Sequence, residues 1–376
     1  MFTTPNKRAV VSVINDLVSD VRVKKTCDEL TLLGYDVLLI GRKLPSSLDV
    51  PKWSFKTKRM NLMFHKGVLF YLFFNVRLFF NLLVKKADLL VANDLDTLLP
   101  NYLVSKLKGI PLIFDSHEVF CEVPELQKTP FKKRIWQRLE AFVIPKLNYA
   151  MTVNESIAQY FETKYHTKFN VVRNIPPSIK NITHKTKKDL GIPEDKRMII
   201  LQGAGINIDR GAEELIEAMT FLSDVVLFII GSGDVWPILE KKVNELNLSD
   251  RVKLIKKLPK ADLINYTIHA DLGLSIDKPT NLNYQLSLPN KVFDYIDAEV
   301  PILATRLKEI EALIIKHKIG AFIESHDPKH IADAINNALN LASIKAWKEN
   351  TKLAKKVLNW EEERKVLINL VKSINV

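Results

Sequence analysis

The strongest constraint on the fold is a rhythm. Short apolar runs rich in β-branched residues alternate with longer amphipathic stretches, and the pattern stops once and then restarts. In the first half, Ala9 to Asn15, Tyr35 to Gly41, Ala87 to Ala92, Ile110 to Asp115, Tyr149 to Val153 and Phe169 to Arg173 read as strands. Val21 to Leu33, Gly67 to Val84, Asp94 to Leu107 and Lys132 to Leu147 read as the helices between them. Alternation of this kind predicts an α/β chain with a parallel sheet covered by helices on both faces. Ligands then collect beyond the carboxyl ends of the strands.

The interruption is Asn174-Ile-Pro-Pro-Ser-Ile-Lys-Asn-Ile-Thr-His, followed by more cations; the double proline forbids a helix and the polar stretch has little to bury. After it, Met198 to Gly203, Val225 to Gly231, Val252 to Ile255, Asp271 to Ser275, Pro301 to Ala304 and Gly320 to Ile323 resume the strand pattern. The expected organisation is a first domain over 1–175, a linker over 176–190, a second domain over 191–342 and helices over 343–376. A chain of 376 residues, 47% of them hydrophobic, has material for two such cores.

Composition narrows the classes. Cys27 and Cys121 stand far apart, which excludes a disulfide framework and a structural zinc ribbon and suits a reducing compartment. The apolar run Ala9 to Ile14 is too short for a signal peptide, so a cytoplasmic location is expected. Gly67 to Val84 is long enough to span a membrane, but Asn75, Arg77 and Asn81 interrupt it at helical intervals and favour a core-facing helix. Residues 1–175 hold 26 Lys+Arg against 16 Asp+Glu, so most of the net +12 lies there. No RNA-recognition, zinc-finger or helix-turn-helix signature accompanies that charge, so nucleic acid is not expected as a partner.

Two motifs point to phosphate. In Ser287-Leu-Pro-Asn-Lys-Val-Phe-Asp294, Pro289 marks a helix start whose first N–H groups lack helical partners and attract an anion. Lys291 adds a fixed charge there, and Asp294, one turn on, can accept from a ribose diol. The run Leu201-Gln-Gly203-Ala-Gly-Ile-Asn-Ile-Asp-Arg210-Gly is a glycine-rich strand-to-helix loop that ends in a guanidinium able to fork onto phosphate oxygens.

Further candidates lie in the first half. Asp115-Ser-His117-Glu118 follows an apolar strand, and His117 is the catalytic candidate, against a helix-capping alternative. Asp94-Leu-Asp96 is a literal Asp-x-Asp, read here as an N-cap and first-turn acid and not as a metal site. Asp16, Asp20 and Arg22 occupy the first strand-to-helix loop and are acceptor-side candidates, with capping as the alternative. Gly231-Ser-Gly233 is given a structural role. Lys132, Lys133, Arg134, Trp136 and Arg138 make a short basic amphipathic stretch suited to an anionic membrane surface or to a solvated helix face.

These motifs together resemble the GT-B retaining glycosyltransferases of group 1 and family 4, in which two Rossmann-like domains face each other across a cleft. The resemblance implies a glycosyltransferase acting without a metal or other cofactor. Its donor is a nucleotide diphosphate sugar and its acceptor a saccharide or a lipid-linked one, in cell-surface polysaccharide or glycolipid synthesis. It places the diphosphate on Arg210, Lys291 and the backbone around Gly203, Ser287, Leu288 and Asn290, the ribose on Asp294, and the donor sugar near His117. It also sends the final helix back onto the first domain. Two departures stand out: Leu286 replaces the first of the family's paired acids, and Ala204 stands where a second basic residue is usual. A nucleotide-sugar epimerase of similar fold and a non-catalytic sugar-nucleotide-binding partner are the alternatives.

Overall fold

The structure, a computed structural model, describes residues 7–178, 183–340 and 342–374. The chain divides into two compact units, Met1–Asn174 with Glu363–Val376, and Ile175–Glu362. In the first, β1 (Arg8–Asp16), β2 (Asp36–Lys43), β3 (Lys56–Asn61), β4 (Leu89–Asn93), β5 (Leu112–Ser116), β6 (Tyr149–Thr152) and β7 (Asn170–Val171) form a parallel sheet. Its order is β3-β2-β1-β4-β5-β6-β7. Between the strands run α1 (Val21–Leu32), α2 (Gly67–Val84), α3 (Leu95–Lys108), α4 (Pro124–Gln127), α5 (Pro130–Val143) and α6 (Glu155–Tyr165).

The second unit repeats the scheme. Strands β8 (Arg197–Gly203), β9 (Val225–Gly231), β10 (Val252–Lys256), β11 (Leu272–Ser275), β12 (Ile302–Thr305) and β13 (Gly320–Ile323) are all parallel, in the order β10-β9-β8-β11-β12-β13. Its helices are α7 (Ala212–Ala218), α8 (Trp236–Glu245), α9 (Lys260–Thr267), α10 (Leu282–Gln285), α11 (Asn290–Asp297), α12 (Lys308–His317), α13 (Pro328–Asn340) and α14 (Ser343–Val357). The last helix, α15 (Trp360–Ile374), begins in this unit and continues into the first. Each sheet reverses its direction of growth once, between β1 and β4 and between β8 and β11. The loops after those strands diverge and leave room for a ligand.

Strand residues alternate between two buried faces. Met198 and Ile200 pack with Phe293 on one side of the second sheet, and Ile199 and Leu201 pack with Leu215 on the other. Burial on both faces is why these strands read as continuous apolar runs.

Two elements differ from the sequence reading. Strand β3, Lys-Thr-Lys-Arg-Met-Asn, has no apolar pattern, because an edge strand with only Met60 buried needs none and its charges discourage edge pairing. Helix α2 is core-facing along one stripe alone, Phe70, Phe74, Leu78 and Leu82. Its polar interruptions serve β3: Arg77 donates to the Asn61 carbonyl, and Lys58 donates to Asn81. The remaining apolar side of α2 is exposed.

The expected linker, 176–190, and tail, 343–376, do not stand apart. Ile175, Ile192 and, from α14, Ala354 belong to the core of the second unit; residues 179–182 of that linker lie outside the described residues. Helix α15 is clipped to the first unit by two ion pairs. Arg364 donates to Glu29 at 2.7 and 3.0 Å, and Arg173 donates to Glu363 through its backbone N–H at 2.7 Å and its guanidinium at 2.8 Å.

Glu29 is 4% exposed, so Arg364→Ala takes a guanidinium away from a buried carboxylate. The expected loss is about 2 kcal/mol in denaturant unfolding. A Glu29→Gln/Arg364→Leu double variant should lose less, since the buried charge is removed together with its guanidinium. Wild-type stability for Arg364→Ala contradicts the assignment.

Candidate functional site

In the second unit the site begins where β8 ends at Gly203. The following loop is zipped to the loop after β9: the Ile206 N–H donates to Ser232 O at 2.9 Å, and the Ser232 N–H donates to Gly203 O at 3.2 Å. A Cβ on Gly231 would lie 1.8 Å from the Gly203 carbonyl oxygen, so that glycine is demanded by the close approach. Gly203 and the Gly231-Ser-Gly233 turn therefore build one scaffold. The loop then reaches Gly211, which has φ +77° and packs so tightly that a Cβ would meet Ile276 O at 2.4 Å. Arg210 is thereby delivered to the end of β11.

There it meets Asp277, a fully buried carboxylate. Arg210 Nη1 donates to Asp277 Oδ2 at 3.1 Å, and Lys291 Nζ donates to Asp277 Oδ1, also at 3.1 Å. The guanidinium stacks 4.0 Å from the Tyr284 ring centroid. Its buried Nε–H has no acceptor among the described residues. Burial pulls the Lys291 pKa down; Asp277 opposes that and the Arg210 charge adds to it, and the net direction is downward. Two cations on one carboxylate leave one surplus positive charge at a strand end, with a donor still unused. An anion completes such a group.

Helix α11 carries Lys291 and Asp294 to the place. Its Tyr295 hydroxyl donates to Ile200 O at 3.2 Å and Leu274 O at 3.0 Å, spanning β8 and β11 at the reversal point of the sheet. The ring rests on Gly273, where a Cβ would come within 2.5 Å of it. Asp294 accepts from Gln202 Nε2 at 3.2 Å, and Gln202 Oε1 accepts from Thr267 at 2.8 Å. Lys260 lies 3.8 Å from the other Asp294 oxygen. Burial raises the Asp294 pKa, with Lys260 opposing, and burial lowers that of Lys260.

Three further donor-site candidates lie between the end of α10 and the start of α11. The N–H and hydroxyl of Ser287 both donate to Tyr284 O, at 3.1 and 2.9 Å, closing the end of α10; its N–H is not turned toward an anion. Leu288 packs on the core, and Asn290 is exposed at the start of α11. Pro289 is the N-cap of α11, one position before the first helical turn.

In the first unit the ends of β4 and β5 bring a second cluster together. Asp94 occupies the N-cap position of α3 but makes no capping bond. Its carboxylate instead accepts from the His117 N–H at 2.8 Å and lies 3.1 Å from His117 Nδ1. Asp115 lies 3.3 Å from His117 Nε2. Asp94 has φ +58° and ψ +166°, a conformation that costs a non-glycine residue about 1–3 kcal/mol and is retained where a site needs it. Burial pulls the His117 pKa down, but the two flanking carboxylates outweigh it and hold the pKa well above the usual value, so the ring is an imidazolium at neutral pH. Burial, then the Asp94 charge, hold the Asp96 carboxyl well above the carboxylate range.

The acceptor-side candidates take structural parts. Arg22 is buried, forks onto Asp115 at 2.7 and 2.9 Å and donates to Val172 O at 2.6 Å. Burial pushes the Asp115 pKa up; Arg22 and His117 more than offset it and keep the carboxyl ionised. Asp20 caps α1 through the Val23 N–H at 3.1 Å, and Asp16 pairs with Arg59 of β3 at 2.8 Å. On α5, Lys133 pairs with Glu122 at 2.8 Å. Trp136 is half-buried between Tyr71 and Phe120, so it joins α5 to α2 and is not an outward anchor. Lys132, Arg134 and Arg138 are exposed. Among the described residues, no group of three or more His, Cys, Asp or Glu side chains is placed to hold a metal ion.

Sequence reasoning missed Asp277, Gln202 and Lys260. Asp277 carried a signal, since it follows the end of β11 by two residues, as His117 follows the end of β5 by one.

With this geometry in view, comparison with known proteins is decisive for the family. Residues 183–357 match the family model of the glycosyl transferases group 1, and residues 20–180 match glycosyltransferase family 4. The second half thus belongs to the group 1 glycosyltransferases and the first to family 4, and together the two matches make the chain a glycosyltransferase. It is 24% identical over 222 residues to a D-inositol 3-phosphate glycosyltransferase of Corynebacterium urealyticum, a match spanning 54% of this chain and about half (49%) of that relative. Sucrose-phosphate synthase of Thermosynechococcus elongatus superposes with a TM-score of 0.82 over 98% of this chain and 99% of that one, at 16% identity. Anabaena HepE in complex with UDP-glucose gives 0.71 over 98% and 99%, at 13% identity. These structures share with the glycosyltransferase the two-domain GT-B fold.

Asp94→Asn should lower the His117 pKa, visible in the ring-proton NMR titration. The folded pKa is raised, so this contribution to stability is complete below the unfolded value of about 6.5 and is lost as pH rises through the folded pKa. The variant should therefore be destabilised by about 1–3 kcal/mol near pH 6, with the difference narrowing at higher pH. An unchanged His117 titration contradicts the pairing.

Proposed function

We propose that this glycosyltransferase moves a sugar from a nucleotide diphosphate sugar to a saccharide or lipid-linked acceptor, in cell-surface polysaccharide or glycolipid synthesis, with retention and without a metal. The observation that carries the reading is the buried Asp277 holding Arg210 and Lys291 together, with Asp294 one turn along α11. In this reading the diphosphate lies against the two cations and takes the unused Arg210 N–H, and Asp294, oriented by Gln202, accepts from the ribose. The glycosidic bond to the leaving diphosphate breaks as the acceptor oxygen bonds to the anomeric carbon; the acceptor proton passes to the departing phosphate. The fixed cations supply charge stabilisation that needs no movement during the reaction. His117, protonated, is assigned to the donor sugar as a hydrogen-bond donor, on the family resemblance. The complexes of Anabaena HepE, a similar fold, contain UDP and UDP-glucose, which supports UDP as the first nucleotide to test.

Leu286, the C-cap of α10, brings no acid to the site, and the buried Asp277 is committed to the two cations. An epimerase of similar fold would instead release free sugar and nucleotide without an acceptor, which a product analysis separates.

Arg210→Ala and Lys291→Ala should each weaken UDP by about 1.5–3 kcal/mol in calorimetry while changing uridine affinity little. Equal losses for both ligands remove the two cations from the phosphate site. Turnover should continue in a chelator; activity abolished and then restored by manganese or magnesium would contradict metal independence. His117→Ala should lower turnover with UDP affinity nearly intact, and unchanged turnover at saturation returns that ring to a structural part.

A further inference from the structure

We propose that the outer face of α2, with the exposed cations of α5 beside it, inserts shallowly into an anionic lipid surface. Helix α2 buries only its inner stripe, while Leu69, Leu72, Phe73, Val76, Phe80 and Val84 are exposed, Leu72 by 55% and Phe80 by 58%. Their spacing of three and four residues makes one continuous apolar strip along an 18-residue helix. A strip of this size on a protein surface marks an interaction site.

The helix is the right length to span a membrane, but it is not free to do so. Phe70, Phe74, Leu78 and Leu82 are buried in the unit, and Arg77 and Asn81 are bound to the residues of β3. It can only lie flat, with the strip outward, as interfacial helices do.

Charge selects the occupant. Exposed Lys66 precedes the strip, and exposed Lys85 and Lys86 follow it. The Tyr71 and Trp136 rings, 5.2 Å apart, place α5 alongside, where exposed Phe131 and Ile135 alternate with Arg134 and Arg138. Pairing two copies through this face would bring like charges together, whereas anionic headgroups complement them. The sequence had suggested charge-based docking through α5. The structure adds the apolar component and reassigns Trp136 from anchor to the joint between the helices. The inference rests on the lipid-linked acceptor reading above.

The test is co-sedimentation with vesicles of phosphatidylcholine and of equal parts phosphatidylcholine and phosphatidylglycerol, at low and high salt. Three proteins are compared: the wild type, Leu72→Gln/Val76→Gln/Phe80→Gln, and Lys132→Gln/Arg134→Gln/Arg138→Gln. All six side chains are exposed, and melting curves check folding. Wild type should prefer the anionic vesicles and keep part of its binding when salt shortens the Debye length from about 10 to about 3 Å. The α2 variant should lose about tenfold or more in partitioning at both salts, since apolar transfer is not screened. The α5 variant should lose mainly the salt-sensitive part. Phe80→Trp emission should shift to the blue on anionic vesicles.

Wild-type affinity in the α2 variant overturns the inference while leaving charge-based docking in place. No sedimentation of the wild type overturns both. A wild-type dimer that the α2 variant dissociates, without lipid binding, would give the face to a second copy. UDP calorimetry on the same proteins reports the transferase reading separately.

Discussion

A carboxylate with no exposure to water cannot stand alone, and the second unit is arranged around satisfying one. Asp277 holds Arg210 from the loop after β8 and Lys291 from α11. Each cation would be costly to bury without it, and each would repel the other. The three charges are held together because the partners come from elements that are themselves fixed. Gly211 brings Arg210 in against Ile276 O, and Tyr295 locks α11 across β8 and β11. The outcome is a preformed, singly positive group at the point where a doubly wound sheet opens.

The first unit uses the same physics with the signs exchanged. His117 lies between two acids, and the imidazolium they stabilise is held at the end of β5. Arg22 neutralises the more deeply buried of those acids from behind. The strained Asp94 backbone shows that the arrangement is maintained against a local cost. Both sites thus sit on strand ends and depend on buried ion pairs rather than on loops alone.

Much of this architecture was legible in the sequence, for reasons that particular residues make plain. Strands buried on both faces, such as Ile-Ile-Leu in β8, announce themselves; β3 does not, because its charged edge has almost nothing to bury. Arg210, Lys291 and Asp294 could be read because they lie in compact local motifs. Asp277 offered only its place just after a strand end, since a carboxylate 14 residues before Lys291 becomes its partner only through the fold. Arg22 and Trp136 were misread for the same reason: a charged or aromatic residue in a loop or amphipathic helix looks available until a distant Asp115 or Tyr71 claims it. The exposed side of α2 was hidden by its own hydrophobicity, which in a sequence is indistinguishable from that of a core helix.

The central claim is that the Arg210, Lys291 and Asp277 group is the seat of the donor diphosphate. A crystal structure of the protein grown with UDP tests it most directly. The account predicts phosphate oxygens within about 3 Å of both the Arg210 guanidinium and the Lys291 ammonium, with the ribose on Asp294. Density for UDP elsewhere, with both cations still closed on Asp277, would contradict it.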